Sequence, residues 1–126
     1  MRIDVVTIFP RMVEGPLSEG IVQRARQAGL VDLRVQDLRD HTDDRHRTVD
    51  DAPFGGGPGM VMKAEPFHRA LERARADGPA GSEAVVLLSP RGRRFDQDAA
   101  RRFARLDRLV LLCGRYEGVD ERVAVG

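Results

Sequence analysis

Short runs of β-branched and apolar residues alternate along this chain with stretches of helical period, and that alternation limits the fold more than any other feature. Residues 3–9 are rich in Ile, Val, Thr and Phe and stop at Pro10, as a buried first strand does. Residues 18–28 read as a helix with Ile21, Val22 and Ala25 on one face and Gly29 just past its end. Val31, Leu33 and Val35 then alternate with Asp32, Arg34 and Gln36, the pattern of a half-buried strand. Pro66 opens a helix with Phe67, Ala70, Leu71 and Ala74 in one stripe, closed by Asp77-Gly78-Pro79. Residues 84–88 form a continuous apolar strand, Asp96 caps a helix carrying Ala99, Ala100, Phe103 and Leu106, and residues 109–113 form another apolar strand. Strands separated by helices cannot pair as hairpins. The expected fold is therefore α/β, a mainly parallel sheet with flanking helices and right-handed crossovers.

A chain of 126 residues suffices for one domain with one core, burying about two-thirds of its unfolded surface. With 41% hydrophobic and 33% charged residues it belongs with soluble globular proteins. The net charge is only +1, and every basic residue but Lys63 is Arg. Arg suits phosphates and carboxylates, but a codon bias produces the same composition, so composition alone assigns no partner. Cys113 is the only cysteine, which excludes an intrachain disulfide framework and fits a reducing cytoplasm. Asp4 interrupts the opening apolar run, which is too short for a signal segment, and no other stretch approaches the length of a membrane span.

Ligands of open α/β sheets bind beyond the carboxyl ends of the strands. The turns there are Ser89-Pro90-Arg91-Gly92 and Gly114-Arg115-Tyr116-Glu117-Gly118, whose glycines let a backbone approach a ligand. Neither has the ending of a P-loop or the glycine spacing of a dinucleotide site. Residues 37–63 show no clear period, and so long an aperiodic stretch in a compact domain is commonly functional. It contains Arg45-His46-Arg47-Thr48-Val49-Asp50-Asp51, then Pro53-Phe54-Gly55-Gly56-Gly57-Pro58-Gly59-Met60. The arginines and His46 can hold phosphates, and the two aspartates can accept from base edges. His41, Asp43, Asp44 and His46 form a mixed set of the kind more often solvated than metal-bound, and no metal site is assigned.

These four segments, in this order and spacing, together with Cys113 and Val119-Asp120-Glu121-Arg122-Val123 and the opening Ile8-Phe9-Pro10, resemble bacterial tRNA (guanine-N1)-methyltransferases over essentially the whole chain. The resemblance implies a SPOUT-type fold with a deep trefoil knot, incomplete within these residues, and S-adenosylmethionine as cofactor, with magnesium assisting. It implies tRNA and a second copy of the chain as partners, with methylation at N1 of the guanosine 3′ of the anticodon. Carried over by position, Leu88, Ser89, Pro90, Gly92, Gly114, Tyr116, Glu117 and Gly118 line the cofactor pocket, while Arg45, His46, Asp50, Pro58 and Gly59 face the tRNA. Arg91 stands where the family commonly has Gln, and Asp43 where it has His, so neither is assigned a shared role.

The resemblance implies that residues 1–126 are the amino-terminal methyltransferase domain, with the general base and a tRNA-gripping domain lying beyond Gly126; no catalytic residue is expected among residues 1–126. Two alternatives have distinct signs. A catalytically inactive RNA-binding or dimerisation module would bind tRNA without turnover. A SPOUT-type methyltransferase for another RNA would prefer that RNA in a methylation assay.

Overall fold

The computed structural model describes residues 1–42, 50–51, 61–62, 64–76, 78, 81–88, 92–114 and 118–119, and all structural statements concern these. Four six-residue strands, β1 (Arg2–Thr7), β2 (Asp32–Asp37), β5 (Glu83–Leu88) and β6 (Arg108–Cys113), pair in parallel in the order β2-β1-β6-β5. The expected architecture is therefore present. The first strand lies in the interior, where its Val5 and Val6 and the following Ile8 are buried, while the half-apolar β2 stands at one edge. β5 is the other edge. Its apolar composition suggests full burial, yet Val85 and Leu88 are exposed there, because among the described residues only β6 pairs with it.

One face of the sheet is covered by helix α3 (Ala64–Arg75). Phe67, Ala70 and Ala74 of α3 pack against Val6, Ile8, Val110 and Leu112, and Leu38 closes the cluster from a 3-10 turn at Leu38–His41. Removing these side chains from water is the main force holding the sheet to α3. α3 begins two residues before Pro66, in the first turn where proline's missing N–H costs nothing. The 3-10 turn falls in the stretch without period. Asp37 makes it possible by accepting from the Arg39 N–H at 2.9 Å, a local cap that no hydrophobic pattern announces.

Right-handed crossovers place α1 (Pro10–Leu17), α2 (Gly20–Gln27) and α4 (Gln97–Ala104) on the opposite face. The single helix expected over residues 18–28 is α2 alone, and α1 precedes it. Gly15 and Pro16 in its last turn mask α1 in the sequence, and none of its residues is buried. Gly29, at φ +76°, terminates α2 as expected. Its N–H donates to Arg26 O and that of Leu30 to Ala25 O, the paired bonds that left-handed glycine allows after a helix. Asp96 caps α4 by accepting from Ala99 N–H at 2.8 Å.

A second sheet is built from two-residue strands: β3 (Asp50–Asp51), β4 (Val61–Met62) and β7 (Gly118–Val119), in the order β3-β4-β7. β3 and β4 are antiparallel, and β4 and β7 are parallel. Two residues per strand are too few to alternate, which hides them from any periodicity.

Candidate functional site

The carboxyl edge of the large sheet is where β5 and β6 hand over to the two glycine-bearing turns. Leu88 lies directly across from Cys113 in the parallel register, so the turns after β5 and β6 start side by side. Adjacent strands lie about 4.8 Å apart. Leu88 is half exposed there, and Gly92 and Gly114 are exposed. Cys113 is half-buried, and burial raises its thiol pKa above the ordinary value, which favours the protonated thiol. This edge therefore presents apolar surface and open backbone, a setting for holding a ligand.

The small sheet connects the two regions that the sequence kept apart. Asp51 pairs with Val61, and Val61 with Gly118; Asp50 pairs with Met62, and Met62 with Val119. Asp50, from the aperiodic stretch, and Gly118, from the turn after β6, therefore belong to one three-stranded ladder. Ser89, Pro90, Tyr116, Glu117, Arg45, His46, Pro58 and Gly59 lie outside the described residues, as do Asp43 and Asp44. Gly126, beyond which the family resemblance places the general base, lies outside them too, so the structure offers no geometry for that group. Among the described residues no group of three or more His, Cys, Asp or Glu side chains is arranged to hold a metal.

A polar depression of about 390 Å³ opens beyond β2, lined by Val35, Gln36, Asp37, Asp40, His41 and Arg73. His41 Nε2 meets Gln36 Oε1 at 2.9 Å, and Gln36 Nε2 donates to Asp4 Oδ1 at 3.4 Å. Asp4 is fully buried and held by Arg2, whose Nη2 donates to Oδ1 at 3.0 Å. The pairing with Arg2 is what allows a carboxylate under the sheet. Partial burial pushes the His41 pKa down, Arg73 adds to this, and Asp40 and Asp37 oppose it, so the ring is neutral at pH 7. Sequence reasoning named Asp4 only as a break in an apolar run, Gln36 only as a polar strand position and His41 only within a mixed His and Asp set, and missed the link between them.

No helix of the described residues is long and apolar enough to cross a membrane. The parallel sheet and its flanking helices define the class, an α/β fold, and a solved relative makes it one of SPOUT type. The crystal structure of tRNA (m1G37) methyltransferase from Aquifex aeolicus superposes with a TM-score of 0.89 at 37% identity, covering 99% of this chain and 56% of that one. The family model described as tRNA (Guanine-1)-methyltransferase TrmD matches residues 1–125, and the chain belongs to that family. The tRNA (guanine-N(1)-)-methyltransferase of Geobacter sulfurreducens is 54% identical over 123 residues, 98% of this chain and 49% of that protein. That of Koribacter versatilis is 58% identical over 127 residues, 98% and 48% respectively. The chain thus spans about half the length of the curated relatives it matches.

Proposed function

We propose that this chain is the cofactor-binding domain of a tRNA methyltransferase that moves a methyl group from S-adenosylmethionine to N1 of the guanosine 3′ of the anticodon. The observation that carries the reading is the Leu88–Cys113 register, which sets the two glycine-bearing turns next to each other at the carboxyl edge. Family membership supports the reaction class and the substrate. The cofactor, when bound, supplies an electrophilic methyl group.

The chain's own residues do the holding. Leu88, Ser89, Pro90 and Gly92 form one wall of an adenosine pocket and Gly114, Tyr116, Glu117 and Gly118 the next. The glycines leave room for the ligand against the backbone. Arg45, His46, Asp50, Pro58 and Gly59 serve the tRNA, and the β3-β4-β7 ladder keeps that segment in step with the cofactor turn. Guanine N1 carries a weakly acidic proton, so transfer needs a base as well as alignment. The family resemblance gives that role to none of residues 1–126. The working assembly is a homodimer in the cytoplasm.

The test uses the full-length protein, spanning both halves that its relatives possess. Isothermal titration with S-adenosylmethionine is paired with a methylation assay on unmodified tRNA. Gly114→Val should weaken cofactor binding at least tenfold, whereas Asp50→Ala should spare cofactor binding and raise the KM for tRNA. Unchanged cofactor affinity in Gly114→Val overturns the pocket; absence of methylation by the unsubstituted protein overturns the reaction.

A further inference from the structure

The flank of the molecule formed by residues 92–105 differs from the rest in how its arginines are used. Elsewhere Arg2, Arg26, Arg34, Arg69, Arg75 and Arg108 each have a carboxylate within 4.0 Å, and the exposed Arg11, Arg24 and Arg73, which have none among the described residues, are spread over three separate helices. On this flank Arg93, Arg94, Arg102 and Arg105 are exposed and have no carboxylate partner among the described residues, and Arg101 reaches Asp98 only at 3.9 Å. The segment holds five arginines against two aspartates in a chain whose whole formal charge is +1, so the remainder is net acidic. Asp96 is occupied in capping α4. A codon bias toward arginine would scatter arginines along the chain; it would not set five of them with only two aspartates beside two aromatic rings within residues 92–105.

Aromatic rings accompany the charge. Phe95 is 66% exposed, and its ring stacks on Phe103 with centroids 6.2 Å apart and planes 22° from parallel. The Arg102 guanidinium lies over Phe103 at 5.9 Å from its centroid. Burying Phe95 would have removed a large apolar surface from water, and here it is instead held outward by a ring that is itself propped by a cation. Exposed aromatic faces set among unpaired arginines are how proteins hold nucleic-acid strands without reading their sequence: phosphates meet the guanidinium groups, and bases or riboses meet the ring.

The position fits such a strand. Residues 92–96 leave the carboxyl edge beside the candidate pocket, and α4 carries Arg101, Arg102 and Arg105 back along the flank for about 12 Å. We propose that this flank is a second RNA contact surface, which takes the sugar–phosphate backbone of an RNA strand that has left the site. The inference rests on the reading of the substrate as tRNA.

Fluorescence anisotropy with labelled, unmodified tRNA between about 50 and 200 mM salt tests it, because each phosphate contact contributes about 0.7 to 0.9 to the salt slope. Arg102→Glu combined with Arg105→Glu should lower affinity at least tenfold at low salt and reduce the slope by roughly 1.5. Phe95→Ala should weaken binding roughly fivefold or more and leave the slope alone. Arg69→Glu combined with Arg73→Glu, on α3 across the sheet, makes the same charge change and should alter neither. The surface is overturned if the α4 pair keeps the unsubstituted slope and affinity, if the α3 pair loses as much, or if the unsubstituted protein does not bind tRNA. Cofactor titration and methylation by the unsubstituted protein report separately on the proposed reaction, so its failure and that of the surface are told apart.

Discussion

Glu83 opens β5 between two arginines. Arg75 donates to its Oε1 from Nε at 2.9 Å and from Nη2 at 2.7 Å, and Arg108 donates to Oε2 from Nη1 at 3.2 Å. The bonds from Arg75 are the largest cause of a carboxyl held below the usual glutamate range, and those from Arg108 add to it against an opposing contribution from burial. A carboxylate whose pKa is depressed on folding stabilises the fold above its unfolded value, and that share is lost as pH falls through the folded value. Arg108 is almost wholly buried, so it depends on Glu83 and on the Gly78 carbonyl, to which its Nη2 donates at 3.0 Å. Glu83→Gln should cost about 1.5 to 3 kcal/mol at neutral pH, the worth of hydrogen bonds to a charged group. It should also flatten the acid limb of stability below the ordinary glutamate value of 4.5. Thermal unfolding at pH 7 and pH 3.5 checks both; an unchanged acid limb would assign the pH dependence to other carboxylates.

Elements were legible where their apolar residues or end signals form a pattern. α3 and β2 announce themselves by the period of their apolar residues, and β1, β5 and β6 by runs of apolar residues. α4 was marked by its capping Asp96, and the end of α2 by Gly29. α1 was not, since its eight residues bury nothing and include Gly15 and Pro16, so it shows neither a stripe nor clean boundaries. Ile21 was expected in the α2 face and is 82% exposed, a case where periodicity identified the helix and misplaced one residue of its packing. Half of the candidate site was readable as strand-end turns with glycine. The other half, the ladder that brings Asp50 and Gly118 together, depends on pairings between segments far apart in the chain and leaves no local trace. The same contrast predicts stability. Phe67→Ala removes a fully buried ring from the center of the α3 packing and should cost about 3 to 5 kcal/mol. Met12→Ser, on exposed α1, should change the stability of the chain by no more than about 0.5 kcal/mol. Urea denaturation of the two variants would expose any reversal of that order.

At the scale of the molecule, the two faces of the large sheet are unequally finished. The α3 face is dry, whereas the α1–α2 side leaves Met12, Ile21 and Leu30 mostly in water. If the proposed homodimer covers this side, Ile21→Glu should move sedimentation from dimer toward monomer at micromolar concentration, with helical content unchanged; a dimer that persists undiminished would put the interface elsewhere.

β1, whose interior place rests on Arg2 facing Asp32 on one side and Arg108 on the other, has a further consequence for how the molecule comes into being. A ribosome delivers β1 well before β6, which follows on the order of 100 residues later, and at about 5 to 20 residues per second that is roughly 5 to 20 s. During that interval the nascent chain holds a strand with one edge still unsatisfied, and its valines lack the neighbour that makes them a core. The sheet closes only when residues 108–113 have cleared the exit tunnel, so the center of the fold waits on a segment made long after the strand it completes.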